Sequence, residues 1–476
     1  MLHLTKYLTI LLVISEFTPS LTAEPLRNQT VCESTKCVLP DCLCMSTSPP
    51  MGLNPKEIPQ IVFLTFDDAL NYWMYPTYQK ILGNRTNPNG CNIGMTFFVS
   101  HESGTGNTTS QNGTDYRLVN EFFNRGHEIA SHSVTHKADF IYWKNTSVDF
   151  WEREAGRQRK IINTYANIPF DKIQGFRAPY LQTGGDATFI ALNNLGMNFD
   201  SSLPSITFSD PPIWPYTLDH GITQDCVISP CITGKFPGLW EIPLLVFQNG
   251  NNGSICSMPD FFCFPPDSNL TTAQIFDYFM FNFQRFNKTR APFGIFQHVY
   301  WFLDSQAVLE GFLKFLDHLA TLDYVYIVPV SKGIEWIKNP QTLAQMKEND
   351  IFSCDPSSVD QAPCPAPQVC HYVDKSIPGG KRTMGSCVPC PLKYPMLDTS
   401  DEPIPQTETT PIENPHYFDC KDKLDGSYQN PASNCSRTFF VCSNGNTSLF
   451  TCAHPETIYQ QDIKACDWAY KFSACK

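Results

Sequence analysis

The chain has 476 residues, 42% of them hydrophobic and 17% charged, and a formal net charge of −12. That length accommodates one large domain and one or two small ones. The acidic balance argues against a nucleic-acid or anionic-membrane partner and suits a neutral or cationic polymer.

Residues 1–23 form an apolar N-terminal stretch with Lys6 ahead of its apolar run and Leu21-Thr22-Ala23 at its end. This predicts a secretory signal peptide, too short to span a bilayer. Twenty cysteines, and sequons at Asn28, Asn84, Asn107, Asn112, Asn145, Asn252, Asn269, Asn287, Asn434 and Asn446, point to a disulfide-bonded, glycosylated extracellular protein. No later segment is apolar for long enough to cross a membrane, so an exported, soluble product is expected. The cysteines fall in blocks of even number, which permits pairing within blocks without fixing connectivity. Cys32, Cys37, Cys42 and Cys44 lie in a turn-rich leader over residues 24–58.

Residues 59–354 alternate between strand and helix patterns. Strands are predicted at 61–66, 94–99, 127–130, 173–176, 198–201, 240–243, 294–298 and 324–328. Helices are predicted at 73–81, 116–125, 149–166, 271–287 and 305–322. Repeated β-α units with reactive side chains after the strands predict an α/β fold, a (β/α) barrel with its site in the βα loops. Residues 355–390 contain the cluster Cys364, Cys370, Cys387 and Cys390 and read as a disulfide-stapled spacer. Residues 391–416 are rich in Pro, Thr and acidic residues and read as an extended linker reaching up to about 80 Å. Residues 417–476 hold the last six cysteines.

Four segments carry chemistry. IVFLTFDDALN is a buried-strand pattern that ends on Asp67-Asp68. Adjacent residues at a strand end point in different directions, so one carboxylate can bind metal while the other faces a substrate. HEIASHSVTH places His132 and His136 four residues apart after a second apolar stretch. Two imidazoles and a carboxylate make a three-ligand metal site with open positions, and the remaining Asp is free to act as a base. The same donor set can hold non-haem iron, but an oxidising compartment and a spare Asp favour zinc hydrolysis. GFRAPYL offers Arg177 to orient a carboxylate and the Tyr180 backbone N–H, in a rigid loop after Pro179, as an oxyanion donor. FGIFQHVYWF carries His298 in an apolar strand, a setting where histidine commonly just packs.

Together these segments make the chain resemble the polysaccharide deacetylases of carbohydrate esterase family four, in particular the animal chitin deacetylases. TFDD, HSVTH, RAPY and the strand ending at His298 match the family's ordered motifs. LPDCLC, NPNGC followed by TFFVSHE, DPPIWPYTLD and WEIP match outside the site. The resemblance spans about residues 32–354 and implies a distorted (β/α) barrel acting on chitin with Zn2+. It implies Asp68, His132 and His136 as metal ligands, Asp67 as general base tethered by Arg177, and the Tyr180 N–H as oxyanion donor. His298 is implied as general acid, oriented by Asp200 with Asp210 as the fallback. The Asp-Trp of the bacterial fourth motif is absent, and Trp214 is expected to supply that wall of the substrate cleft.

The C-terminal block resembles a peritrophin-A chitin-binding module, from its cysteine spacing and the CDW at 466–468. A domain this small needs disulfides because its core is small. About half of Tyr428, Phe439, Phe440, Phe450, Tyr459, Trp468 and Tyr470 are expected in that core. The rest, Trp468 and Tyr470 among them, are expected to stack on sugar faces.

Overall fold

The computed structural model describes residues 32–33, 35–102, 113–251, 253–261, 263–264, 268–354, 362–373, 380–396 and parts of 420–471. The expected signal peptide and most of the expected linker lie outside these residues. The chain divides into two compact units, Met1–Ser400 and Asp401–Lys476.

The larger unit is built on one curled sheet. Its strands are β1 (Gln60–Asp67), β2 (Thr96–Val99), β3 (Glu128–Ser131), β4 (Gly175–Phe176), β5 (Phe199–Asp200), β6 (Tyr216–Thr217), β7 (Trp240–Glu241), β8 (Phe293–Gln297) and β9 (Val325–Ile327). In space the order is β8-β1-β2-β3-β4-β5-β7-β6, with β9 on the first residues of β1. Every pairing is parallel except that of β6 with β7. All eight residues of β1 are buried, as expected of a strand covered on both faces. Consecutive parallel strands and their crossover helices make this a distorted (β/α) half-barrel. Parallel strands end on the same side, so whatever chemistry follows them collects at one mouth.

The predicted elements map onto this frame within a few residues. The helix expected at 149–166 is interrupted. Helical turns at Val148–Trp151 and Arg157–Tyr165 flank a π-helical turn at Glu152–Gly156. A π turn re-aims side chains, and this one turns Glu154 inward, where it is fully buried. Helices Thr272–Asn287 and Gln306–Leu319 pack on each other outside β8, the first opened by a Thr271–Gln274 capping box.

The disulfides among the described residues stay within the cysteine blocks. They join Cys32–Cys44, Cys37–Cys42, Cys91–Cys354, Cys226–Cys231, Cys256–Cys263, Cys364–Cys387, Cys370–Cys390, Cys420–Cys442 and Cys452–Cys466. The segment expected as a spacer is instead a β-hairpin, β10 (Gln368–Val373) with β11 (Lys381–Ser386), packed on the helix Tyr116–Asn124. Gly385 lies so close to Asp115 that a Cβ there would overlap its carboxylate.

In the smaller unit, Gly426–Gln429, Thr438–Ser443 and Asn446–Thr451 form an antiparallel sheet, and Thr457–Gln460 pairs with Ala465–Trp468. Phe440 and Tyr459 are buried, with Tyr459 stacked on Phe439 at 4.3 Å between ring centroids. Tyr428 and Trp468 are half-buried.

Candidate active site

Strand β1 ends on Asp67, and Asp68 follows with φ of 84°, which turns the chain sharply and separates the two carboxylates. Strand β3 delivers His132, whose N–H continues the ladder to the Val99 carbonyl at 3.0 Å. The chain then folds back through Ser133 (φ 72°) to bring in His136 (φ 40°). Tyr180 and Leu181 also have positive φ, both 57°. Five of the nine non-glycine residues with positive φ among the described residues thus lie on the loops of this mouth. Unfavourable backbone persists where the surroundings over-determine it, as functional loops do.

His132 Nδ1 donates to the Arg177 carbonyl at 2.8 Å, which leaves the Nε2 lone pair facing the mouth. Burial, and the neighbouring His136, push its pKa well below the usual histidine range, so the ring is neutral and able to ligate. His132 Nε2 and His136 Nε2 stand 3.9 and 3.1 Å from Asp68 Oδ1. Donors on a tetrahedral ion at about 2 Å stand roughly 3.3 Å apart, so the spacing fits a metal. Asp68 Oδ1 and His132 Nε2 are buried and make no hydrogen bond among the described residues. Buried polar atoms left without partners but aimed at one point are what a cation would satisfy. Asp68, His132 and His136 therefore form a possible metal site. A second grouping, Cys32, Cys37 and His220, is no such site, because both cysteines are in disulfides.

Asp67 stands beside this trio, held by Arg177. Its Oδ1 receives Arg177 Nη1 at 2.5 Å, and its Oδ2 lies 4.0 Å from His132 Nε2. Arg177 is fully buried, yet its donors are used. Nη1 also reaches Thr65 Oγ1 at 3.0 Å, Nε the Ser201 carbonyl at 2.7 Å, and Nη2 Ser201 Oγ at 2.8 Å. Phe98 and Phe296 sandwich the guanidinium, with ring centroids 3.8 and 4.9 Å from Cζ. Tyr180 packs its ring on His136 at 4.9 Å and on exposed Phe140 at 4.8 Å.

Across the mouth, His298 follows β8. The carboxylate that holds it is Asp260, whose Oδ2 accepts from both His298 Nδ1 and the His298 backbone N–H at 2.8 Å. Burial works against a charged imidazole. The charge and hydrogen bond of Asp260, with the charges of Asp68 and Asp67, outweigh it and lift the His298 pKa to about 10.

The expectation for Asp200 is thereby corrected. Asp200 is buried within the field of Arg177 and accepts from Ser202 N at 2.9 Å and Ser202 Oγ at 2.7 Å. It also shares a hydrogen bond with Glu241. Burial raises Asp200 to about 6 even though it accepts hydrogen bonds from Ser202 and Glu241, while burial, the charge of Asp200 and the hydrogen bond to it raise Glu241 well above the carboxylic-acid range. The two acids cannot both ionise there, so Glu241 keeps the shared proton. Asp210, the fallback, is exposed on a turn. Trp214 is likewise no cleft wall: it is 1% exposed and stacks on Trp336 at 6.1 Å. Trp468 keeps part of its surface, and Tyr470 lies outside the described residues.

Two acids absent from the expected site support it. Asp260 sits in the short loop closed by Cys256–Cys263, next to exposed Phe261. An acid bracketed by close cysteines and aromatics was the available sign. Glu154 accepts the Val134 and Thr135 N–H groups at 3.0 and 2.9 Å and the Thr135 hydroxyl at 2.6 Å, tying down the loop between His132 and His136.

With this geometry in place, comparison with known proteins gives first the class. Residues 54–199 match the family model described as polysaccharide deacetylase, and residues 420–475 the one described as chitin binding Peritrophin-A domain. The chain is 34% identical over 369 residues to Chitin deacetylase 8 of Bombyx mori, covering 77% of this chain and 92% of that protein. It is also 34% identical over 382 residues to Chitin deacetylase 1 of Bombyx mori, covering 77% of this chain and 68% of that protein. Among solved structures it is similar to a chitin deacetylase from Colletotrichum lindemuthianum, at 14% identity and a TM-score of 0.31, covering 58% of this chain and 87% of that one. The chain belongs to the chitin deacetylase family of polysaccharide deacetylases.

Proposed function

We propose that this protein is a secreted, zinc-dependent chitin deacetylase that hydrolyses the N-acetyl groups of N-acetylglucosamine units, leaving acetate and partly deacetylated chains. The observation that carries the reading is the convergence of His132 Nε2 and His136 Nε2 on Asp68 Oδ1, with Asp67 held apart by Arg177. Two imidazoles and one carboxylate, with positions left open, are the donor set of a catalytic zinc. A zinc ion held there acidifies water and polarises a carbonyl.

The chain's own residues then divide the work. Asp67, its Oδ1 pinned by Arg177, takes the proton of the attacking water at Oδ2. The Tyr180 N–H, in the loop closed by Pro179, donates to the amide oxygen as negative charge develops there. His298 gives the Nε2 proton to the departing amine, while Asp260 holds Nδ1 and so fixes which nitrogen faces the substrate. The sum is one water consumed, the C–N bond broken, and acetate and a free amine released. The C-terminal module, through Trp468 and Tyr470, holds the enzyme on chitin by stacking on sugar faces.

The competing reading is a catalytically silent protein that binds and organises chitin. Acetate release from chitin oligomers, measured on metal-stripped protein before and after zinc is restored, separates the two. Release that appears with zinc supports the enzyme. Chitin binding with no release at any zinc concentration supports the silent protein.

A further inference from the structure

Hairpin β10–β11 has no part in the chemistry above, yet it reaches the segment on which the two histidines depend. Beyond β2 the chain runs on through His101 and Glu102. Their backbone N–H groups bond the carbonyls of Ser133 and Val134 at 3.3 and 3.0 Å, within the loop between His132 and His136. Glu154 grips the same loop through the Val134 and Thr135 N–H groups. A loop with positive φ at Ser133 and at His136 needs such support on both sides.

The Glu102 side of this grip is anchored by the hairpin. Arg382 on β11 places Nε 2.9 and 2.8 Å from the two Glu102 oxygens and Nη2 2.8 Å from Oε2. The Tyr394 hydroxyl bonds Glu102 Oε1, and its ring stacks on His101 at 4.6 Å. All four residues are buried. Removing the cation from such a cluster leaves a buried carboxylate uncompensated, which it relieves by moving toward water. The backbone of Glu102 would move with it, and Val134 is its direct partner.

We propose that the hairpin is a structural part of the metal centre, with Arg382 and Tyr394 acting through Glu102 as positioning residues for the loop that carries His132 and His136. The hairpin lies outside the residues matched by the deacetylase family model. Its disulfides Cys364–Cys387 and Cys370–Cys390 hold it as one piece, and Cys387 N bonds the Tyr165 carbonyl at 2.8 Å, so the clamp is fixed to the barrel's helices as well. The inference rests on the metal reading of Asp68, His132 and His136.

The test is zinc affinity of the metal-stripped full chain, by competition with a chromophoric chelator, for wild type, Arg382→Gln, Arg382→Lys and Tyr394→Phe, with thermal unfolding and amide hydrogen exchange alongside. Arg382→Gln is expected to weaken zinc binding about tenfold, as loss of a ligand's supporting hydrogen bonds does. Arg382→Lys recovers part of that loss. Tyr394→Phe, which keeps the ring on His101 and preserves the test if Arg382→Gln does not fold, gives a smaller loss in the same direction. The Glu102 amide exchanges faster in each, before zinc is added. A lower melting temperature with unchanged zinc affinity in the folded variants would show a merely structural hairpin and overturn the proposal. His132→Ala is the control: zinc retained by that variant would remove the metal reading, and the clamp with it, whereas zinc lost there but held by the hairpin variants would sink the clamp alone.

Discussion

Replacing Asp260 with Asn should move the alkaline limb of the pH–activity profile downward. His298 must be protonated to act as an acid, so activity is present below its pKa and lost as pH rises through it. In the native protein that pKa is raised to about 10, burial being outweighed by Asp260 first and by Asp68 and Asp67 next. A divalent ion on Asp68 offsets part of the latter share, so the limb of the loaded enzyme lies below 10. Asn keeps the size and an acceptor for His298 Nδ1 but removes the charge, leaving burial to act against the imidazolium. With a pKa returned to the ordinary histidine value of about 6.5, the protonated fraction at pH 8.5 is about 1%. Acetate release at pH 8.5 should therefore fall on the order of 100-fold in Asp260→Asn, and much less at pH 6. The same pair contributes to folding with the same sign, its stabilisation being complete below about 6.5 and lost as pH rises through about 10. The assay is kcat for soluble chitin oligomers across pH 5 to 10 at saturating zinc. A uniform loss at all pH values, with the alkaline limb unmoved, would refute the view that Asp260 sustains the proton on His298.

Deleting residues 418–476 should leave turnover of soluble oligomers nearly intact while weakening retention on insoluble chitin, since the module acts through local concentration; equal losses on both substrates would contradict this. His132→Ala should lower zinc content and abolish activity, because two remaining protein ligands hold the ion poorly, and metal analysis of the purified variant checks it. Arg177→Met should cost about 3–5 kcal/mol in denaturant unfolding, because it leaves Asp67 buried without its partner. A change well below that would mean that the Arg177 network contributes little to the fold.

The sequence made the barrel legible where its physics is local. Residues 61–66 are apolar but for Thr65 because β1 is covered on both faces, and the reactive residues follow their strands directly, so Asp67, Asp68, His132, Arg177 and His298 could be found by position. What it hid depends on contacts between distant segments. Asp260 reaches His298 across 38 residues from an irregular loop, while Asp200 sits at a strand end where an orienting acid was expected. Trp214 lies in a Pro-rich stretch with no periodicity to show that its face meets Trp336. The hairpin over 368–386 alternates buried and exposed residues on its first strand, a pattern legible in principle. Its docking through Arg382 to Glu102, 280 residues away, was not. The π turn that aims Glu154 leaves the helical pattern almost unchanged, so only the structure shows where that carboxylate points.

The central claim is that neighbouring carboxylates divide the labour, Asp68 holding the ion and Asp67 moving the proton. Zinc content and acetate release of Asp67→Asn and Asp68→Asn, measured side by side on folded protein, test it most directly. Asp67→Asn should keep zinc and lose on the order of 100- to 10,000-fold in turnover, the usual loss for a general base, with some activity regained at high pH. Asp68→Asn should lose zinc and activity together. Zinc lost from Asp67→Asn and kept by Asp68→Asn would reverse the two roles, and full activity in both would contradict the hydrolase itself.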